Sequence, residues 1–230
     1  MKLEHAPVPA LRPSEYTAAL IQVLQANKDR IKGARVLDVG SGSGIVLAAL
    51  AEMGAGSLCG VDIEQAAVDV GTRLLRDLGH GERSELLLGD MWEPLGERRF
   101  DLVAANLPHF PMPAAGVAGR LPTWSAGGPD GRLLLDRFLT GLPRHLASKG
   151  KAVITHNGFV GIERTREILA PAGLALRVAR TELIYIADEK LDLMTDSVLL
   201  SEDGRSIHRY GPYTFGEMHI VEIGAPGDLA

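Results

Sequence analysis

Tyr16, Leu20, Val23 and Leu24 recur at the spacing of one helix face behind Ser14, a residue suited to capping, and predict a helix running to about Asn27 with one side on a core. Gly33 breaks the pattern. Arg35 to Val39 then reads as a short buried strand running into Gly40-Ser41-Gly42-Ser43-Gly44, and the run Ile45 to Met53 is apolar nearly all round, as expected of a helix lying against a sheet. Beyond Gly54 and Gly56 the two periods alternate. Ser57 to Asp62 reads as extended, Gln65 to Leu78 as helical with Gly79 as its stop, and Glu85 to Leu88 and Phe100 to Ala105 as extended. A Pro-rich loop covers Leu107 to Thr123, and a helix follows from about Pro129 to Ala147, which Pro143 should kink or end. Lys151 to His156 is the next strand, Gly161 to Leu169 a helix, Leu174 to Ile186 a long strand and Met218 to Ile223 the last one. Strands alternating with helices imply crossovers and a parallel sheet, an α/β protein.

Composition narrows this picture more than it redirects it. The 230 residues are 46% hydrophobic and 23% charged, enough for one sizeable core and read as a single domain over 1–230, with an arm and helix over 1–34 and an insertion over 187–214 before the last strand. No stretch has the length of a membrane-spanning segment, and the N-terminus lacks the apolar run of an export signal. The lone Cys59 rules out an internal disulfide and fits a cytoplasmic protein, and the seven histidines show no metal-ligand spacing. Net charge is −5. It resides in residues 185–204, where Asp188, Glu189, Asp192, Asp196, Glu202 and Asp203 face only Lys190. The remainder is close to neutral, which disfavours an extended nucleic-acid footprint.

The strongest chemical signal is Val36-Leu37-Asp38-Val39-Gly40-Ser41-Gly42-Ser43-Gly44. Glycines at alternate positions after a buried strand let the backbone approach a ligand where a Cβ would collide, and a helix N-terminus follows at once. The spacing differs from a nicotinamide-dinucleotide loop, which would place its third glycine at 45, where this chain has isoleucine. Here the segment resembles the first motif of the class I S-adenosylmethionine-dependent methyltransferases. That resemblance implies a Rossmann-like, doubly wound sheet of seven mostly parallel strands, the last antiparallel. It also implies S-adenosylmethionine as cofactor, held by Asp38, Gly40, Gly42 and Gly44, by Asp62 (on the ribose) and Ile63 after the second strand, by Asp90 (on the adenine amino group) and Met91 after the third, and by Asn106.

The fourth strand ends in Asn106-Leu107-Pro108-His109-Phe110, which is similar to the Asn-Pro-Pro-Tyr signature of enzymes that methylate planar nitrogens: adenine amino groups, and the glutamine amide of release factors in the HemK-like group. Such a nitrogen has a delocalised lone pair, so its site must hold both N–H groups with acceptors and let it pyramidalise. The resemblance makes Asn106, Pro108 and His109 the catalytic segment and places Tyr16, Leu107, His109, Phe110, His156 and Asn157 around the acceptor. Gly127-Gly128-Pro129-Asp130-Gly131 and Arg12-Pro13-Ser14-Glu15-Tyr16 also look like HemK-like segments. The signature departs at Leu107 and at His109, where an imidazole could stack, donate or act as a base.

Only 35 residues precede Val36, too few for the recognition domain those enzymes carry there. The expectation is therefore an N-methyltransferase for a small molecule or an amino-acid or peptide side chain, with Asp188, Glu189 and Asp192 suited to a cationic acceptor and His208, Tyr210 and Tyr213 closing the pocket. A homodimer contact is another role open to the insertion. The alternatives are an adenine or protein glutamine-amide methyltransferase, and a non-catalytic partner subunit built on the same fold, against which the intact Asp38–Gly44 motif stands.

Overall fold

The computed structural model describes residues 12–113 and 125–229. Its centre is an eight-stranded sheet in the order β3-β2-β1-β4-β5-β8-β6, with β7 paired to β8 off that path. The strands are β1 Arg35–Val39, β2 Ser57–Asp62, β3 Ser84–Leu88, β4 Phe100–Ala105, β5 Leu146–Asn157, β6 Ala175–Ile186, β7 Ile207–Tyr210 and β8 Tyr213–Gly224. β1 to β5 are parallel, and β8 runs antiparallel to both β5 and β6, as the resemblance implies.

The alternation of side chains along β1 sends Val36 to one face and Leu37 and Val39 to the other, and each face is covered. Val36, Leu58, Leu102 and Val153 form one core with α1 (Glu15–Ala26), α2 (Ile45–Glu52) and α3 (Gln65–Asp77). Leu37, Val61, Val103 and Ile154 form the second with α4 (Leu133–His145) and α5 (Ile162–Leu169). The result is three layers with strand order reversing between β1 and β4, the position where open α/β sheets leave a crevice. α2 is buried at Val46, Leu47, Ala48, Leu50 and Ala51, which explains its nearly unbroken apolar run.

Three elements and one connection differ from the sequence expectation. α4 begins at Leu133, after Pro129 to Arg132, and runs through Pro143 to His145, so that Ala147 belongs to β5. β5 extends to Leu146, with Lys149 at φ 63. β8 starts at Tyr213 rather than Met218 and pairs along almost its whole length with β6. The connection between β6 and β8 holds α6 (Asp188–Leu191), α7 (Asp196–Glu202) and β7, none of which the sequence reading foresaw. The stretch 114–124 of the Pro-rich loop and the arm over 1–11 lie outside the described residues.

Candidate active site

The carboxyl ends of β1, β2, β3 and β4 open on a cleft that the loop Asn106-Leu107-Pro108 divides into two chambers. One, of about 310 Å³, is lined by Gly40, Gly42, Asp62, Ile63, Asp90 and Met91 among others. The second, of about 330 Å³, is lined by Asp38, Ser41, Tyr16, His109, Phe110 and Lys190 among others. Asn106, Leu107, Pro108, Gly40 and Gly42 face both.

The glycine loop is tied to β2. Gly40 and Ser41 donate backbone N–H bonds to the Val61 carbonyl at 2.8 and 3.0 Å, and Asp62 accepts from Gly42 N at 2.8 Å and Glu64 N at 3.0 Å. A Cβ on Gly44 (φ 78) would lie 2.9 Å from Gly71 Cα, so this glycine lets α2 and α3 touch, whereas Gly40 is favoured by its φ of 72 and a Cβ there would meet only the tip of the Leu107 side chain at 3.1 Å. Each carboxylate oxygen of Asp62 has a further lone pair for a diol in the first chamber.

Asp38 is 2% exposed and has no ion-pair partner among the described residues. Burial, with Asp62 adding repulsion, pushes its carboxyl well above the usual range. The neighbouring Ser41 hydroxyl is buried without a hydrogen bond. A buried acid and an orphan hydroxyl facing a cavity over a glycine cradle fit a ligand carrying positive charge and polar groups, and S-adenosylmethionine, with its sulfonium and α-ammonium, is such a ligand. Asp90 is ion-paired with Arg137 at 2.8 Å, so its carboxylate is shared, and Met91 is buried with φ 56 beside it.

On the acceptor side Asn106 is oriented by two threonines that sequence reasoning missed. Its Oδ1 accepts from Thr155 Oγ1 at 2.8 Å and its Nδ2 donates to Thr17 Oγ1 at 3.4 Å. The signal for Thr155 was available only through register, since β5 runs beside β4 with Ile154 opposite Ala105. Tyr16 is half-buried, its hydroxyl donates to Asn157 Oδ1 at 2.9 Å, and burial pushes its pKa up. The whole stretch Arg12 to Thr17 lines the second chamber.

His109 is 4% exposed and donates from Nδ1 to the Leu107 carbonyl. Burial lowers its pKa to about 4, against the raising effect of that carbonyl and of Asn157, so at neutral pH the ring is uncharged. It meets Tyr16 edge-on at 5.9 Å and Phe110 at 6.4 Å.

Other expected residues lie elsewhere. His156 is fully buried on the opposite strand face from Thr155 and Asn157, bonded to Thr165 Oγ1 at 2.8 Å, and lines neither chamber, because alternation along β5 turns it toward α5. Asn157 acts from behind, through Tyr16. His208 pairs with Glu217 at 3.0 Å, and Tyr210 and Tyr213 stand exposed at the turn between β7 and β8, so these three do not close the cleft. The insertion contributes Lys190 instead of its acids: Nζ sits 3.8 Å over the Phe110 ring, and burial lowers its pKa, while Asp188, Glu189 and Asp192 face solvent. No group of three His, Cys, Asp or Glu able to hold a metal, and no helix long and apolar enough to cross a membrane, occurs among the described residues.

Residues 36–119 match the family model described as a methyltransferase domain. The chain is 29% identical over 171 residues to a protein of Methanocaldococcus jannaschii provisionally named a protein N5-glutamine methyltransferase, covering 74% of this chain and 85% of that one. It is 35% identical over 124 residues to the ribosomal protein uL3 glutamine methyltransferase of Bradyrhizobium diazoefficiens, covering 50% of this chain and 38% of the relative, well under two thirds of its length. Among solved structures it is similar in fold to the T. thermophilus 16S rRNA N2 G1207 methyltransferase in complex with AdoMet and guanosine, with a TM-score of 0.57 at 18% identity over 95% of this chain and 45% of that one.

Proposed function

Because the chain belongs to the class I S-adenosylmethionine-dependent methyltransferases, what its cleft leaves open is the acceptor, and we propose that this is the side-chain amide nitrogen of a glutamine in a protein. The observation that carries the reading is the fixed amide of Asn106 at the wall between the two chambers, its carbonyl oxygen oriented by Thr155 and its nitrogen by Thr17. With one lone pair still free, Asn106 Oδ1 accepts one N–H of the incoming amide and the Leu107 carbonyl accepts the other. S-adenosylmethionine would be held by Asp62 in the first chamber and by Asp38 and the Ser41 hydroxyl in the second, and would supply an electrophilic methyl group on a sulfonium. Two acceptors hold the amide nitrogen so that its lone pair turns out of the amide plane toward that methyl, and they stabilise the positive charge that grows on the nitrogen. Aligning the reacting atoms contributes further by removing the entropy of encounter. Phe110 and Tyr16 supply the apolar wall, and His109, neutral and bonded to the backbone, orients groups instead of taking a proton.

The small-molecule acceptor expected from the sequence finds no support among the relatives, whose names specify protein glutamine. The insertion turns Lys190 toward the second chamber and leaves Asp188, Glu189 and Asp192 in solvent, so the acids expected to suit a cationic acceptor do not reach it.

The test is transfer of a labelled methyl group to purified uL3 and to release factors, with the modified residue located by mass spectrometry. Label on a glutamine, lost when that glutamine is replaced by asparagine, is the expected result. Label confined to free amines, or to a lysine or arginine side chain, overturns the reading.

A further inference from the structure

The strand-end loop departs from Asn-Pro-Pro-Tyr at positions 107 and 109, and these two residues are bonded to each other. A ring nitrogen that faces a carbonyl oxygen must carry the proton, so the contact from His109 Nδ1 to the Leu107 carbonyl sets the tautomer and leaves Nε2 as an acceptor. His109 Nε2 and Asn157 Nδ2 are both buried without a hydrogen bond, and Tyr16 donates to Asn157 Oδ1.

The backbone around His109 is clamped as well. A Cβ on Gly127 would lie 2.6 Å from His109 Cα, and one on Gly131 would lie 2.7 Å from the His109 carbonyl oxygen. Phe110 N donates to Ser125 O at 2.9 Å and Gly127 N to Phe110 O at 2.8 Å. Gly127 and Gly131 therefore let this segment lie directly on the His109 backbone.

We infer that His109 is a positioning residue whose Nδ1–H holds the Leu107 carbonyl in the direction needed to accept an N–H of the acceptor amide, supplying the rigidity that a proline at 107 would otherwise give. The physical reason is the loss of a ring constraint. Proline fixes φ near −65°, whereas leucine at 107 leaves that torsion free, and a hydrogen bond to the carbonyl removes much of the freedom gained. The oxygen keeps a second lone pair for the substrate. In exchange, the leucine side chain packs over Gly40 of the cofactor loop. This inference rests on the reading of the cleft as a glutamine-amide site.

The experiment compares His109→Phe, His109→Asn and the double variant Leu107→Pro/His109→Phe. Phenylalanine keeps a ring and removes the donor, asparagine places a donor where Nδ1 stands, and proline restores the backbone constraint without it. His109→Phe is expected to lower kcat on a glutamine peptide on the order of 10- to 100-fold with unchanged calorimetric affinity for S-adenosylhomocysteine. His109→Asn and the double variant should recover to within a few-fold of wild type. Imidazole ¹⁵N spectra should show the Nδ1–H tautomer, and the Leu107 ¹³C carbonyl resonance should move in His109→Phe. Cofactor affinity falling in parallel with kcat, a double variant that folds but does not recover, or an unmoved Leu107 resonance overturns the inference. A wild type that labels no glutamine overturns the acceptor reading alone, since the two resonances still decide whether the carbonyl is held.

Discussion

Asp62 lines the first chamber alone, whereas Asn106 stands in the wall between the two, and their loss should be felt by different ligands. Asp62 offers a diol acceptor and also ties down Gly42 and Glu64. Asp62→Ala is expected to weaken S-adenosylmethionine binding roughly 10- to 100-fold by calorimetry, the loss of hydrogen bonds to a charged group. Asn106→Ala should leave that affinity within a few-fold and lower kcat by about 10²-fold or more. Equal losses of cofactor affinity in both variants would show that the chambers are misassigned. Asp38 adds a pH signature. Its carboxyl is raised by burial and by Asp62, so part of it is protonated in the free protein above the usual carboxylate range. A cationic ligand favours the charged form, so binding releases a proton and affinity rises with pH across that window. Calorimetry in buffers of differing ionisation enthalpy reads the release directly, and an equal binding heat in all of them would contradict it. Much of the glycine-loop side of the cleft was legible because Asp38 to Gly44 form one short run and Asp62 ends a strand. On the acceptor side Tyr16, Asn106 and Asn157 were named from the resemblance, but Thr17 and Thr155 were not, because they meet Asn106 only through the fold, and nothing local to Lys190 shows that it turns inward from an acidic stretch.

Among the elements, those buried on both faces were easiest to read. β1, β2 and β4 begin and end where their apolar runs do, since a strand covered by helices on both sides needs apolar residues throughout. β8 was cut short for the converse reason: from Tyr213 to Glu217 it alternates between buried and half-exposed positions beyond the central core, and its polar residues read as loop. α4 was set four residues too early because Pro129 and Asp130 resemble a helix start, while Gly128 and Gly131, at φ 87 and 73, hold the chain in a turn that presses on His109. Gly131→Ala tests this clamp. Its methyl would lie 2.6 Å from Val160 Cγ1 and 2.7 Å from the His109 carbonyl in a backbone conformation that alanine disfavours, so a loss of about 1–3 kcal/mol in denaturant unfolding is expected. Unchanged stability would mean that the turn shifts freely.

For the whole molecule the buried histidines dominate the acid response. Burial lowers His109 to about 4 and His156 to about 3, both below the ordinary value of 6.5. The unfolded chain therefore binds protons that the folded chain refuses, and stability falls as pH drops from 6.5 through these values, by on the order of 3 kcal/mol for each ring. Asp38, raised in the folded state, works in the opposite direction over part of this range, while His219, also lowered by burial, adds to the two rings. Urea unfolding at pH 7 and pH 5 should show the lower midpoint at pH 5. An equal or higher midpoint there would mean that the rings are hydrated.

β8 has a consequence for how the molecule is made. It lies between β5 and β6, yet it is the last described strand in the chain, and among the described residues β6 has no other neighbour in the sheet. On a ribosome, the strands that cradle the nucleotide can pair as they emerge, whereas β6, which brings Ile184 and Tyr185 to the acceptor chamber, stands as an open edge until Tyr213 to Gly224 has been synthesised. The nascent chain should gain its cofactor pocket before its substrate pocket, and a product truncated before Tyr213 should be the aggregating species.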